Sequence, residues 1–382
     1  MATVTDGPHN PQSASSLNSL GDSVPSDEGI VTRVLDDLKE IDRDVRSRIE
    51  KVIDETMSPW LDGDDPEIKA VLGSYRAMAL TSGKRLRPAF VRWAFEGLGG
   101  DPRSPEVRDA SVAVELLHTF ALIHDDVMDE AVARRGVPTI HVTYADLHRS
   151  RRLRGDAVHH GNSIAILMGD LAFAHAALLM TGAPPTATSV FYQMCSDLMV
   201  GQYLDIAAAA RGPVEGVEVA DRIMELKTAR YTVEGPLLLG AALAGRSDEM
   251  ATAARSYGRQ LGRAFQLRDD LLGAFGNPDL TGKPVGGDLA QGKVTRLIEV
   301  GLATCRPEDR PVLTRLGSDQ MLEGDVERAR RILVECGARA EIEQLIDGLL
   351  ADAIHSVGRM PVTPEIRSVL IGAARLVAHR EG

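Results

Sequence analysis

Apolar residues recur along most of this chain at the three- and four-residue spacing of an amphipathic helix. Val31, Val34, Leu35, Leu38, Ile41, Val45, Ile49, Val52 and Ile53 trace one face of a first long helix, whose far end Pro59 limits. Asp65-Pro66-Glu67 supplies an N-cap, a first-turn proline and an acid, and opens a helix toward Gly83. Ser104-Pro105-Glu106 and Thr363-Pro364-Glu365 repeat that signal. Further helices are expected over 163–181, 189–210, 217–229, 232–244, 248–272, 323–336 and 339–356, with Gly182-Ala183-Pro184-Pro185 and Gly245 as stops. No alternating β-branched run interrupts them. The pattern predicts an all-α bundle of helices around a central cavity. Residues 1–27, rich in Ser, Pro, Asn, Gly and Asp, read as a disordered tail, and 28–382 as a single domain. The stretch 142–162 is the least helical internal segment, and its Arg149, Arg151, Arg152 and Arg154 read as a solvated loop.

Composition narrows the function. The balance of 44 % hydrophobic and 26 % charged residues is that of a soluble globular protein. A net charge of −12 argues against broad nucleic-acid affinity but not against local anion sites. Cys195, Cys305 and Cys336 have neither metal-knuckle nor disulfide-framework spacing, so a reducing, cytoplasmic setting is expected. The N-terminal residues lack a signal-peptide apolar run. The apolar stretch 163–180 carries Asp170 and His175, so a buried helix is expected there rather than a membrane span.

Two groups of aspartates break the hydrophobic pattern. Asp125, Asp126 and Asp129 end SVAVELLHTFALIHDDVMD, and Asp269 and Asp270 sit in GRAFQLRDDLLGAFG. Both lie toward helix C-termini, where the macrodipole disfavours negative charge. Residues three and four apart share a face, so Asp125 and Asp126 crowd Asp129. Two carboxylates about 6 Å apart repel by roughly 3 kcal/mol at an effective dielectric near 20. A bridging cation would relieve this, and hard oxygen ligands without Cys or paired His point to Mg²⁺.

Basic elements accompany the acids. In Ser82-Gly83-Lys84-Arg85-Leu86-Arg87-Pro88, Lys84 and Arg87 are three apart and would project together from a helix. Arg134-Arg135-Gly136 follows Asp129. Lys227-Thr228 joins a cation to a hydroxyl, and Thr281-Gly282-Lys283-Pro284 precedes Asp288 and Gly292-Lys293. Point charges and planar forks together suit diphosphates. Two acid clusters and several basic elements suit two of them, one held through metal and one directly.

The motifs SGKRLRP, LIHDDVMD with RRG, GQYLD, ELKT and FQLRDD…GKP…GD…GK occur in one order. In this the chain resembles the trans-isoprenyl diphosphate synthases, or polyprenyl synthetases, over about residues 30–380. The resemblance implies an isoprenoid synthase-type bundle, a prenyltransferase activity and a homodimer without a membrane span. It implies three Mg²⁺ held by Asp125, Asp126, Asp129, Asp269 and Asp270 against an allylic diphosphate. Lys84, Arg87, His118 and Arg135 would bind isopentenyl diphosphate. Arg134, Gln266 and Lys293 would bind the allylic diphosphate or its pyrophosphate, with Lys227, Thr228 and Lys283 as catalytic contacts. One position departs: Gly273 stands where the second motif usually ends in an aspartate, so that metal contact is expected to be lost or replaced by water.

Phe120 and Ala121 lie five and four residues before Asp125, roughly 6–8 Å deeper at about 1.5 Å per residue. In the resembled family that pair looks like a geranylgeranyl diphosphate synthase. Farnesyl or longer products remain alternatives. A class I terpene cyclase would not need Lys84, Arg87 and His118, and a non-catalytic subunit usually loses acids of the first cluster.

Overall fold

The computed structural model describes residues 27–81, 83–134, 136–212, 218–276 and 285–378. The expected N-terminal tail, apart from Asp27, lies outside them, as do Arg135 and Lys283. Described in chain order are α1 (Asp27–Leu61), α2 (Pro66–Ala79), α3 (Leu86–Gly97), α4 (Pro105–Met128), α5 (Ile140–Ser150), α6 (Ala157–Leu179) and α7 (Pro185–Arg211). Then come α8 (Glu218–Ile223), a π-helical stretch (Met224–Glu234), α9 (Gly235–Leu243) and α10 (Ser247–Phe275). The chain continues through α11 (Gly287–Ala290), α12 (Arg296–Thr304), α13 (Arg310–Thr314), α14 (Asp325–Glu335), α15 (Ala338–Val357) and α16 (Pro364–Ala378). Among the described residues the strands are β1 (Ala133–Arg134) and β2 (Val137–Pro138), an antiparallel pair with Arg134 opposite Val137.

Helix starts follow the sequence signals. The Asp65 carboxylate accepts from the backbone N–H groups of Glu67 and Ile68, at 2.8 and 3.2 Å, and so caps α2. Thr363 Oγ1 accepts from Ile366 N. Three expectations need correction. Helix α1 runs past Pro59 to Leu61, because a proline in the last turn removes little hydrogen bonding. The stretch 142–162 is mostly helix: α5 buries His141, Tyr144, Ala145 and His148, and Asp156 caps α6 through His159 N. The arginine run occupies the end of α5 and the link to α6, where Arg149 pairs with Asp146 and Arg151 with Glu67. Finally, 218–243 is unbroken, its middle wound as π-helix rather than divided near 230.

One hydrophobic cluster runs from Val34 to Ala378. Helix α4 lies centrally, packed against α1, α3, α6 and α9, which is why most of its middle is buried, Glu115 included. The π-helical stretch lies between α7 and α10. Two glycines make that approach possible: a Cβ at Gly201 would stand 2.8 Å from Lys227 N, and one at Gly262 would stand 2.2 Å from Ala229 Cα. Helix α6 is, among the described residues, the helix long and apolar enough to cross a membrane by length and composition, yet 39 % of its apolar window is buried. It packs on α4 and α5 with one face and leaves Ile166, Leu167 and Leu178 exposed.

Candidate active site

Asp125 and Asp126 occupy the last turn of α4 and Asp129 its C-cap. Their carboxylates part company. Asp125 Oδ1 accepts from Gln202 Nε2 at 3.0 Å and from Lys227 Nζ at 3.3 Å. Burial alone would favour its protonation, but Lys227, Lys293 and Arg134 outweigh that and hold the carboxyl below its ordinary range. Asp126 is buried and takes a forked pair from Arg134, with Nη2 at 2.7 Å and Nε at 2.9 Å. Burial still pushes its pKa up. Asp125 and Asp129 therefore face the lysines, while Asp126 orients Arg134, which also stands 3.8 Å from Asp125.

The second cluster lies on α10. Asp270 is buried and its carboxyl is pushed up to about 8, first by burial, with Asp288 and Asp269 adding to it. Gln266 ties it to the π-helical stretch: Nε2 donates to Asp270 at 2.8 Å, and Oε1 accepts from Thr228 at 2.5 Å. Lys293 joins the two clusters, its Nζ lying 3.0 Å from Asp129 Oδ2 and 3.8 Å from Asp288 Oδ1. Lys227 stands on the other side, 2.7 Å from Asp205 and 3.3 Å from Asp125. Burial opposes the charge on both lysines, but the surrounding acids raise their pKa values, so both stay cationic. The charge of Lys293 acts on both Asp125 and Asp270, so the two acid clusters converge on it.

Gly273 follows Asp270 on α10. A Cβ built there would meet Asp288 Oδ2 at 1.8 Å. Position 273 offers no metal contact of its own, as expected, and the space beside it is taken by the Asp288 carboxylate.

The cationic side differs from expectation in one respect. Helix α3 begins at Leu86, so Lys84 precedes it and shares no helical turn with Arg87. Lys84 is exposed. Arg85, at φ 48°, turns inward: its guanidinium is buried between Asp42, at 2.7 Å, and Glu115. It anchors α3 to α1 and α4. Arg87 donates to Thr232 Oγ1 at 2.9 Å and lies 4.5 Å over the Tyr231 ring. His118 lies 6.3 Å from the same ring. Arg87 Nε is buried with no hydrogen-bond partner, a donor left over for an anion. A cavity of about 560 Å³ opens here, lined by Arg87, His118, Leu122, Asp126, Arg134 and His141 among others.

Below the acids, Phe120 packs against His124 and Phe173, with centroids 4.6 and 5.4 Å apart. Ala121 beside it is half-buried. Gly169 of α6 gives the His124 ring its room, since a Cβ there would stand 2.2 Å from Cδ2.

Sequence reasoning missed Asp205, Tyr231 and Thr232, and gave Gln202 no role. GQYLD held the signal for two of them, since Gln202 and Asp205 share a face of α7. Among the described residues no three His, Cys, Asp or Glu side chains converge into an ion cage. Mg²⁺ takes one or two carboxylates and completes its shell with waters and phosphate oxygens. The donors present, Asp125, Asp129 and Asp270, are hard oxygens, and the raised Asp270 is the group that a cation would ionise.

Residues 69–333 match the family model described as polyprenyl synthetase. The chain belongs to the polyprenyl synthetase family. This polyprenyl synthetase is 34 % identical over 308 residues to a geranylgeranyl diphosphate synthase of Mycobacterium tuberculosis, covering 79 % of this chain and 81 % of that protein. It is 32 % identical over 322 residues to a (2E,6E)-farnesyl diphosphate synthase of the same organism, covering 78 % and 84 %. A crystal structure of a geranylgeranyl pyrophosphate synthase from Corynebacterium glutamicum, complexed with isoprenyl diphosphate and magnesium, superposes with a TM-score of 0.83 at 32 % identity. That match covers 90 % of this chain and 99 % of that one. The all-α bundle expected from the periodicity is the fold of these neighbours.

Proposed function

We propose that this polyprenyl synthetase condenses isopentenyl diphosphate head-to-tail with an allylic diphosphate, and that its main product is geranylgeranyl diphosphate. The observation that carries the reading is the convergence of the two acid clusters on Lys293. Lys227 and Lys293 bind acids of α4, and Lys293 also reaches Asp288 beside α10, while Asp126 and Arg134 line the adjoining Arg87–His118 cavity. Asp125, Asp129, Asp269 and Asp270 would hold Mg²⁺, three ions per site on the family resemblance, with Asp126 setting Arg134. Bound Mg²⁺ would neutralise charge on the departing pyrophosphate. Lys227, Lys293 and Arg134 hold fixed positive charge along the same leaving group, and Thr228 and Gln266 position its oxygens. Lys283 and Arg135 are assigned to the diphosphates on the resemblance. Arg87, Lys84 and His118 hold the second diphosphate so that its alkene faces the ionising carbon. Phe120, Ala121 and the neighbouring aromatic rings form the floor that limits the product.

We also place a second copy of the chain on the exposed apolar rows of α6 and α7, where Leu167, Leu178, Met199 and Tyr203 stand uncovered. A homodimer covering them gives α6 a protein partner in place of a lipid one. The free thiols of Cys195, Cys305 and Cys336 support a cytoplasmic location.

The test supplies the purified chain with Mg²⁺, labelled isopentenyl diphosphate and each of dimethylallyl, geranyl and farnesyl diphosphate. Labelled geranylgeranyl diphosphate is expected on chromatography. Ionisation of the allylic substrate without label uptake would point to a cyclase. Turnover that requires a second, different chain would point to a non-catalytic subunit.

A further inference from the structure

We propose that Tyr231 and Thr232 are positioning residues for the second diphosphate: they hold the Arg87 guanidinium in one plane and leave its charge free for the anion. This rests on the reading above, in which Arg87 binds isopentenyl diphosphate. Arg87 stands in the first turn of α3, and its guanidinium meets two successive side chains of the π-helical stretch. The Tyr231 ring lies beneath it, 4.5 Å from centroid to Cζ, and Thr232 Oγ1 accepts from Nη2 at 2.9 Å. A face contact alone would let the fork spin over the ring, and an edge contact alone would let it tilt. The two together fix the plane and the direction of the remaining donors. Both side chains are buried, Tyr231 at 2 % and Thr232 at 1 % exposure, so packing fixes them in turn.

The chemistry of these partners matters as much as their place. The other guanidiniums lining the cavity are tied to carboxylates, Arg85 to Asp42 and Glu115 and Arg134 to Asp126. Among the described residues no carboxylate forms an ion pair with Arg87. A carboxylate there would compete with the diphosphate for the same fork. A ring face and a neutral hydroxyl hold the fork without adding a negative charge. His118 shares the platform, its ring 6.3 Å from that of Tyr231, so one aromatic side chain lies beside two groups of the same subsite. The Tyr231 hydroxyl is buried and has no hydrogen-bond partner, which assigns the role to the ring.

Steady-state kinetics of the purified enzyme with Mg²⁺, farnesyl diphosphate and labelled isopentenyl diphosphate test this. Thr232→Val keeps the side-chain shape, and Tyr231→Leu removes the ring. Each is expected to raise KM for isopentenyl diphosphate about 5- to 20-fold, with kcat and the farnesyl diphosphate KM held within about twofold. Tyr231→Phe, which keeps the ring, is expected to rescue the loss seen in Tyr231→Leu. In an Arg87→Gln background, Thr232→Val is expected to raise that KM no further, because the two act as one unit. A wild-type KM for isopentenyl diphosphate in either single variant overturns the proposal, and so do additive losses in the double variant. A matching rise in the farnesyl diphosphate KM also overturns it, since the same stretch carries Lys227 and Thr228 and a merely loosened helix would disturb them too. Circular dichroism melts identify a Tyr231→Leu chain that fails to fold, in which case the near-isosteric Thr232→Val decides. If Arg87→Gln keeps the wild-type KM, the assignment of Arg87 itself fails. If Arg87→Gln raises it and the Tyr231 and Thr232 variants do not, that assignment stands and this inference alone fails.

Discussion

Substitution of Gly262 by alanine probes how the catalytic stretch is held in place. The new Cβ would stand 2.2 Å from Ala229 Cα and 2.5 Å from Ala229 Cβ. Ordinary contact begins at 3.4 Å, so α10 and the π-helical stretch must part by about 1.2 Å, the difference between the two distances. The first atom met is backbone, which no rotamer change can remove. Ala229 follows Lys227 and Thr228 directly, so the shift passes to both. A misplacement of about 1 Å can cost about 10²-fold in rate, and overpacking costs about 1–3 kcal/mol in stability. We therefore expect Gly262→Ala to lower kcat by one to two orders of magnitude in the labelled condensation assay and to lower Tm. Gly348→Ala is the control. Gly348 is exposed in α15 with no neighbour within 4 Å. Alanine there should raise stability by about 0.5–1 kcal/mol and leave kcat unchanged. A Gly262→Ala enzyme with wild-type kcat and Tm would refute the claim that this close approach positions Lys227.

Phe120→Ala should shift products toward longer chains on chromatography, because it opens the floor between His124 and Phe173; an unchanged distribution would place the floor elsewhere. Glu115→Ala should destabilise the fold by about 3–5 kcal/mol in chemical denaturation, since it leaves the buried Arg85 guanidinium with Asp42 as its one carboxylate partner beside the Thr81 carbonyl. The raised Asp270 carboxyl gives a pH signature. The unfolded chain loses this proton near pH 4 and the folded, metal-free chain near pH 8, so the folded state binds more protons between them. Stability of the metal-free protein should fall as pH rises through that window. Metal uptake near pH 7 should release about one proton, measured by calorimetry in buffers of different ionisation heat, and Asp270→Asn should abolish the release.

The aspartates and their basic companions were legible because charge at the end of an apolar helix runs against both burial and the helix dipole, so it stands out in the pattern. Asp65 and Thr363 marked their helix starts for the same local reason. The π-helical stretch was not legible. Thr228, Thr232 and Val233 weaken helix propensity, and Gly235-Pro236 reads as a stop. Packing between α7 and α10 overrides these local preferences, and the helix continues through Gly235 and Pro236. The α5 segment was hidden by its arginines, which sit near a helix C-terminus where positive charge is favoured. Nor could spacing distinguish Arg85 from Arg87. That choice depends on a left-handed residue before α3 and on Asp42 and Glu115, far away in sequence. The Asp288–Gly273 pair is hidden in the same way, since a glycine's meaning lies in the neighbour that occupies its empty side.

The π-helical winding also decides which residues stack. Bonding from each residue to the fifth beyond it sets residues five apart above one another. Lys227 and Thr232 are such a pair, and they touch different partners, Asp125 and Arg87. In an α-helix the same two side chains would diverge by about 140°. One backbone segment thus carries both the Lys227 and the Thr232 contacts, and deleting a single residue from it would turn the two out of register.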